Sequence, residues 1–442
     1  MIDYVTAEPG QFIDRRALQA TDRKTRLLKQ GIWLYFFLLI FEGALRKWFL
    51  PGLATPLLII RDPLALWLIV IAWTHHRISY NAHLLSMTFI GVLSIFTAVT
   101  LGHGNFFVAL FGARILLIQF PFIFVIGQIF TRDDVIKVGT TTLWITIPMT
   151  ILVILQFYSP QSAWVNRSIG GDTTGAGFSG ALGYFRPPAT FSFTNGTTLF
   201  YSFVACFVFY FWLNPDKVNR LALIGATLGL LAAVPLSISR ALFLQVGVTI
   251  LFTIIAAARK PKFIVRMIIA GIGLLLAMAL LNKASFFQTA TEAFTARFDS
   301  ANEQAGGFQS AIVDRFLGGL LTAIESSSDV PFFGYGLGMG TNVGAQLLTG
   351  NRLFLISEEE WGRLVGELGV LFGLLVIFVR LSLSSRISLA SYKQLQMGNL
   401  LPWMLLSFGL LSLLQGGWAQ PTSLGFSVFI GGLMIASIRK TS

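Results

Sequence analysis

Runs of about 20 apolar residues recur along the chain with short polar turns between them, and this feature removes most folds from consideration. A helix of that length crosses the roughly 30 Å hydrocarbon core of a bilayer. In lipid, only helices and closed barrels satisfy their own backbone hydrogen bonds. The runs are continuous rather than alternating, so the chain reads as an all-α polytopic membrane protein. Charged residues make up only 12% of it, about half the share in a soluble domain. About twelve spans are expected, near 31–50, 54–74, 84–101, 106–130, 135–158, 196–213, 220–236, 241–258, 264–282, 361–380, 400–417 and 421–438.

Residues 1–30 carry Arg15, Arg16, Arg23, Lys24, Arg26 and Lys29 without a cleavable apolar core. They are expected to form a cytoplasmic segment, with residues 11–29 lying along an anionic membrane surface. Residues 31–442 then form one membrane domain. Two external loops are long, 159–195 and 283–360; the second precedes the tenth span and has room for helices of its own. Both are expected to fold over the bundle.

Placing the amino terminus inside puts the turns 75–83, 131–134, 214–219, 259–263 and 381–399 on the cytoplasmic side, with most of the 32 Lys and Arg residues, Arg380 included. That satisfies the positive-inside rule and leaves both termini cytoplasmic. The net charge of +12 is thereby a matter of topology, and no nucleic acid is expected as a partner. Left outside or within spans are Arg46, Lys47, Arg61, Arg114, Arg167, Arg186, Arg240, Lys283, Arg297, Arg315, Arg352 and Arg363. This set is nearly all arginine, whose planar fork suits bidentate phosphate recognition. An anionic ligand on the external face is the expectation.

Four stretches hold the candidate site. In RPPATFSFTN, Arg186 precedes two prolines that enforce extended backbone, and Asn195 stands where a helix cap is expected. Ser239-Arg240 occupies a tight turn, where Arg240 faces either solvent or the bundle. Arg297 and Arg315 each precede a phenylalanine; Asp299, Glu303 and Asp314 are alternative structural partners for them. Finally, GYGLGMG at 334–340 is followed by Arg352, by Glu358, Glu359 and Glu360, and by Arg363 and Glu367. On a helix, Glu360, Arg363 and Glu367 share one face. A carboxylate held beside arginine in a low-dielectric cleft has the attributes of a general base; the same charges also suit a headgroup zone.

Within the early spans, Glu42 and Arg46 are spaced for an ion pair, Arg61-Asp62 are adjacent, and Arg114 needs a partner across the bundle or a wet path. The single cysteine, Cys206, excludes a disulfide framework and a cysteine zinc site. The histidines His75, His76, His83 and His103 form no spaced ligand set. Neither a metal nor a cofactor is expected.

Taken together, Arg186 with Thr190, Phe191 and Asn195, then Ser239-Arg240, then GYGLG followed by Glu367-Leu-Gly369, resemble the motifs of the O-antigen ligase and polymerase superfamily. The likeness covers roughly residues 180–380. It implies a polytopic glycosyltransferase of the bacterial inner membrane, acting on undecaprenyl-diphosphate-linked glycans at the periplasmic face, among membrane lipids and other polysaccharide-assembly proteins. Arg186, Arg240, Arg315, Arg297, Arg352, Arg363 and Asn195 would bind substrate, and Glu358, Glu360 or Glu367 would act as base. Ligases of that superfamily carry a His-Asn pair nine residues before the glutamate; here Glu358 and Glu359 stand there, and Ala189 replaces a motif glycine. Those departures favour a polysaccharide polymerase over an O-antigen ligase. A transporter or lipid flippase is the alternative from another class.

Overall fold

A computed structural model describes residues 4–6, 12–259, 265, 273, 281, 283–304, 330–351 and 355–439. It is helical almost throughout. Among the described residues, nine helices are long and apolar enough to cross a membrane, and two shorter apolar helices, Arg220–Leu236 and Leu401–Gln415, accompany them. The expected span 264–282 lies outside the described residues except at 265, 273 and 281.

The first helix, α1 (Arg15–Ala44), runs without a break from the basic segment into the apolar one. Residues 15–29 therefore belong to this one helix, which corrects the expectation of a separate surface element there. No proline interrupts the stretch, and Gly31 is kept small by Leu68 packing directly on it. A π turn, Leu45–Phe49, ends the helix. Next come α2 (Ala54–Leu58), α3 (Arg61–Thr74), α4 (Ala82–Thr100), α5 (Phe106–Arg114), α6 (Phe120–Ile129) and α7 (Arg132–Tyr158), with a second π turn, Ile115–Gln119, joining α5 to α6. The 159–195 loop holds a two-stranded antiparallel hairpin, β1 (Phe178–Ala181) and β2 (Tyr184–Arg186). Beyond it lie α8 (Thr194–Leu213), α9 (Arg220–Leu236), α10 (Arg240–Ala257), α11 (Ser285–Gln304), α12 (Asn342–Thr349), α13 (Glu360–Gln396), α14 (Leu401–Gln415) and α15 (Pro421–Ile438).

Helices α8, α14 and α15 form an aromatic centre, where Phe203 meets Phe408, Phe426 and Phe429, and Phe36 of α1 stacks on Phe429 at 5.1 Å. Hydroxyls inside the bundle find local acceptors. Thr142, Thr146 and Thr150 each donate to the carbonyl four residues back, the usual way to hide a hydroxyl in an apolar helix.

Helix α13 is not one rod. Gly369 has φ 74° and ψ 175°, which breaks it. Glu360 and Arg380 are 20 residues apart, about 30 Å along a straight helix, yet Arg380 Nη1 lies 2.5 Å from Glu360 Oε1. The stretch before the break thus folds back along the stretch after it. Gly373 fits the crossing, since a Cβ there would stand 2.9 Å from the Leu364 carbonyl. The expected single span 361–380 is corrected to a hairpin, and Arg380, expected at the cytoplasmic edge, is instead buried against Glu360.

Candidate functional site: an arginine cluster above the bundle

The two prolines after Arg186 lead into a segment that the bundle clamps. Ala189 adopts φ 51°, a left-handed conformation that suits glycine. Its N–H donates to Gln156 Oε1 at 2.7 Å, and its carbonyl accepts from Lys47 Nζ at 2.6 Å and Gln156 Nε2 at 3.2 Å. Lys47 also donates to the Phe191 carbonyl at 2.9 Å, and Thr190 Oγ1 to the Ile40 carbonyl at 2.6 Å. Lys47 is wholly buried, and an ammonium taken from water needs such partners. It is a structural clamp that fixes where the segment, and so Arg186, sits.

Arg186 ends β2 and donates to Thr194 Oγ1 at 2.7 Å. From α11, Arg297 Nη1 donates to the Gly180 carbonyl at 3.1 Å, tying the two long loops together. A side chain at Gly180 is opposed by the Tyr184 carbonyl, which a Cβ would approach to 2.7 Å, and by Ile238 Cδ1 at 2.5 Å. Ile238, with φ 46°, turns the chain into α10. Ser239 caps that helix by accepting from the Leu242 N–H at 3.3 Å, and its hydroxyl lies 2.9 Å from that of Thr198. Arg240 is then the first helical residue. Burial, with Arg297 and then Arg240 beside it, holds the Arg186 guanidinium below its ordinary pKa. Arg240 also stands at the positive end of a helix dipole, where a cation is disfavoured. Both effects are relieved by an anion.

The glutamates lie elsewhere. Glu358 and Glu359 are exposed. Glu360 is buried and accepts from Arg363 at 2.9 Å, Arg380 at 2.5 Å and the Trp418 N–H at 3.0 Å. Glu367 accepts from Arg363 at 2.7 Å and the Gly340 N–H at 2.8 Å. Arg363, expected to bind substrate, is thus held between two carboxylates. GYGLGMG docks into the break of α13: the Tyr335 and Gly336 N–H groups donate to the Gly366 and Glu367 carbonyls at 2.8 and 3.1 Å. Those carbonyls are exposed by the turn at Gly369.

Asn195 is not a cap. Helix α8 starts after Phe193 with no side-chain cap, and Asn195 Nδ2 donates to Gln420 Oε1 at 2.9 Å. A third cluster joins the early spans. Glu42 accepts from Arg46 at 3.3 Å and from Arg61 at 3.0 Å, while Asp62 pairs with Arg114 at 3.0 Å across the bundle. Arg61 prefers Glu42 to its neighbour Asp62 and also donates to the Pro421 carbonyl at 2.8 Å.

Of the expected ligands, the structure brings Arg186, Arg240 and Arg297 together and puts Arg363 and Asn195 in other contacts; Arg315 and Arg352 lie outside the described residues. Among the described residues, no group of three or more His, Cys, Asp or Glu side chains is placed to hold a metal ion. Sequence reasoning missed Lys47, Gln156, Thr194 and Arg380 as parts of these networks. For Arg380 a signal existed in Gly369, two residues after Glu367, where a helix is easily broken. No family model, characterised protein or solved structure matches the chain.

Proposed function

We propose that this protein is a membrane glycosyltransferase that polymerises undecaprenyl-diphosphate-linked repeats into a surface polysaccharide at the periplasmic face of the bacterial inner membrane. The observation that carries the reading is the group of like charges at Arg186, Arg240 and Arg297, with burial first and then the two neighbouring guanidinium groups acting on Arg186. Such a group is stable beside a multiply charged anion, and a diphosphate offers oxygens for several guanidinium forks.

In the reaction, a sugar hydroxyl of one lipid-linked repeat attacks the anomeric carbon of the growing chain. The bond from that carbon to the lipid diphosphate breaks, and the diphosphate leaves as an anion. Arginines at the leaving oxygen stabilise the charge that develops there. The hydroxyl proton passes to a carboxylate. Of the three expected glutamates Glu358 alone is exposed, whereas Glu360 and Glu367 are occupied by guanidinium and backbone donors, so on this reading the acceptor sugar spans from the arginines to Glu358. Glu360, Glu367, Arg363 and Arg380 hold the folded-back helix instead.

The test is reconstitution with an undecaprenyl-diphosphate-linked oligosaccharide. Wild-type protein should give a lengthening ladder on the carrier, and Arg186→Gln should slow it by about 100-fold, the typical loss for one donor to a developing anion. A single transfer to a different acceptor would make the protein a ligase, and a full-rate ladder from Arg186→Gln would remove the site. The break in α13 favours a second reading, a transporter or flippase, since interrupted charged helices line many transport sites. Movement of a labelled lipid across reconstituted vesicles, unaffected by Arg186→Gln, would support that reading over the enzyme.

A further inference from the structure

Each arginine of the cluster is bordered by aromatic rings. Phe178 is the cross-strand partner of Arg186 in the β1–β2 hairpin, so both side chains project from the same face. Its ring lies 5.7 Å from that of Phe193, which directly precedes Thr194, the hydroxyl that Arg186 holds. Phe178 and Phe193 are 53% and 49% exposed. On α10, Phe243 stands one turn after Arg240 and is 47% exposed; it meets Phe294 and Phe298 of α11, which flank Arg297, at 5.8 and 6.1 Å. Exposed rings scattered singly need no explanation, but rings that touch one another beside charged groups make an apolar patch that can bind a ligand. A soluble anion would meet only the guanidinium groups. A ligand that also covers the rings must carry hydrocarbon next to its charge.

We infer that two ring groups, Phe178 with Phe193 beside Arg186 and Phe243 with Phe294 and Phe298 beside Arg240 and Arg297, form a collar that grips the first isoprenoid units of the lipid carrier while the arginines hold its diphosphate. This rests on the function proposed above and adds which residues select the lipid. Phe243 belongs to a helix apolar enough to span the membrane, so its part of the collar adjoins the hydrocarbon. The chain can enter sideways from the bilayer while its charged head stays among the loops.

Binding of inorganic diphosphate and of farnesyl diphosphate to the full-length protein in nanodiscs separates the two ideas. Wild-type protein should prefer farnesyl diphosphate by at least about tenfold, which burial of a few methylene groups readily supplies. The double variant Phe178→Ala/Phe193→Ala should lose that preference and keep its affinity for inorganic diphosphate. Phe178→Leu/Phe193→Leu, which restores apolar area, should recover most of it. Arg186→Gln should weaken both ligands. An undiminished farnesyl preference in the double alanine variant would overturn the collar and leave the arginine site standing. If wild-type protein binds neither diphosphate, or Arg186→Gln binds both normally, the function itself falls and the collar with it. Loss of both ligands in the double alanine variant, with normal thermal unfolding, would also overturn the collar, because the rings would then be shaping the arginine site rather than selecting a chain.

Discussion

At the scale of single residues, Glu360 is where three donors meet: Arg363, Arg380 and the Trp418 N–H. The spacing of Glu360, Arg363 and Glu367 put them on one helical face, and they do bond to one another. Spacing could not show that Arg380 closes the set, because its approach depends on a fold-back elsewhere. Ala189 is the opposite case: its left-handed backbone, φ 51°, is one that glycine adopts at no steric cost. Alanine tolerates that conformation at about 1–2 kcal/mol, whereas a β-branched residue is a true outlier. Ala189→Val should therefore lower stability by more than about 2 kcal/mol in a site with no exposed surface, seen as earlier thermal unfolding in detergent. Ala189→Gly should stay within about 1 kcal/mol of wild type, since relief of strain opposes the added freedom of the unfolded chain. Equal loss in both variants would mean that the methyl group, not the backbone, decides.

At the scale of elements, most helices were readable because hydropathy decides whether a segment can lie in lipid. What hydropathy cannot register is a reversal within an apolar run. Residues 370–380 are as apolar as an uninterrupted helix would need, and only the backbone of Gly369 says otherwise. Its position is doubly restricted: φ is positive, and any Cβ would strike the Phe332 carbonyl. Gly369→Ala should consequently displace the GYGLGMG turn and the Glu360–Arg380 pair together. A loss of more than about 2 kcal/mol is expected, while Gly247→Ala, at a helical site with open space around it, should be neutral or stabilising by up to about 1 kcal/mol. Matching melting curves for the two variants would show that the break is incidental to the fold.

At the scale of the whole molecule, the arginine site acquires meaning only from the side of the membrane it faces. The hairpin β1–β2 and helix α11 both lie at the cluster, joined by Arg297 and Gly180, whereas Arg259 and Tyr392, bonded at 2.8 Å, tie α10 and α13 at their far ends. On the function proposed, the cluster faces the periplasm and the Arg259 end the cytoplasm, which is the arrangement the positive-inside rule favours. Cysteine labelling can decide this, because the native Cys206 is completely buried and stays silent towards an impermeant maleimide. Asp172 is exposed in the 159–195 loop, and Lys393 is exposed near the end of α13. Asp172→Cys should react in intact spheroplasts, and Lys393→Cys only after the inner membrane is opened. The reverse pattern would put the arginines on the cytoplasmic side, where an exported polysaccharide could not be assembled, and would leave the diphosphate to be met by an enzyme working before the lipid is translocated.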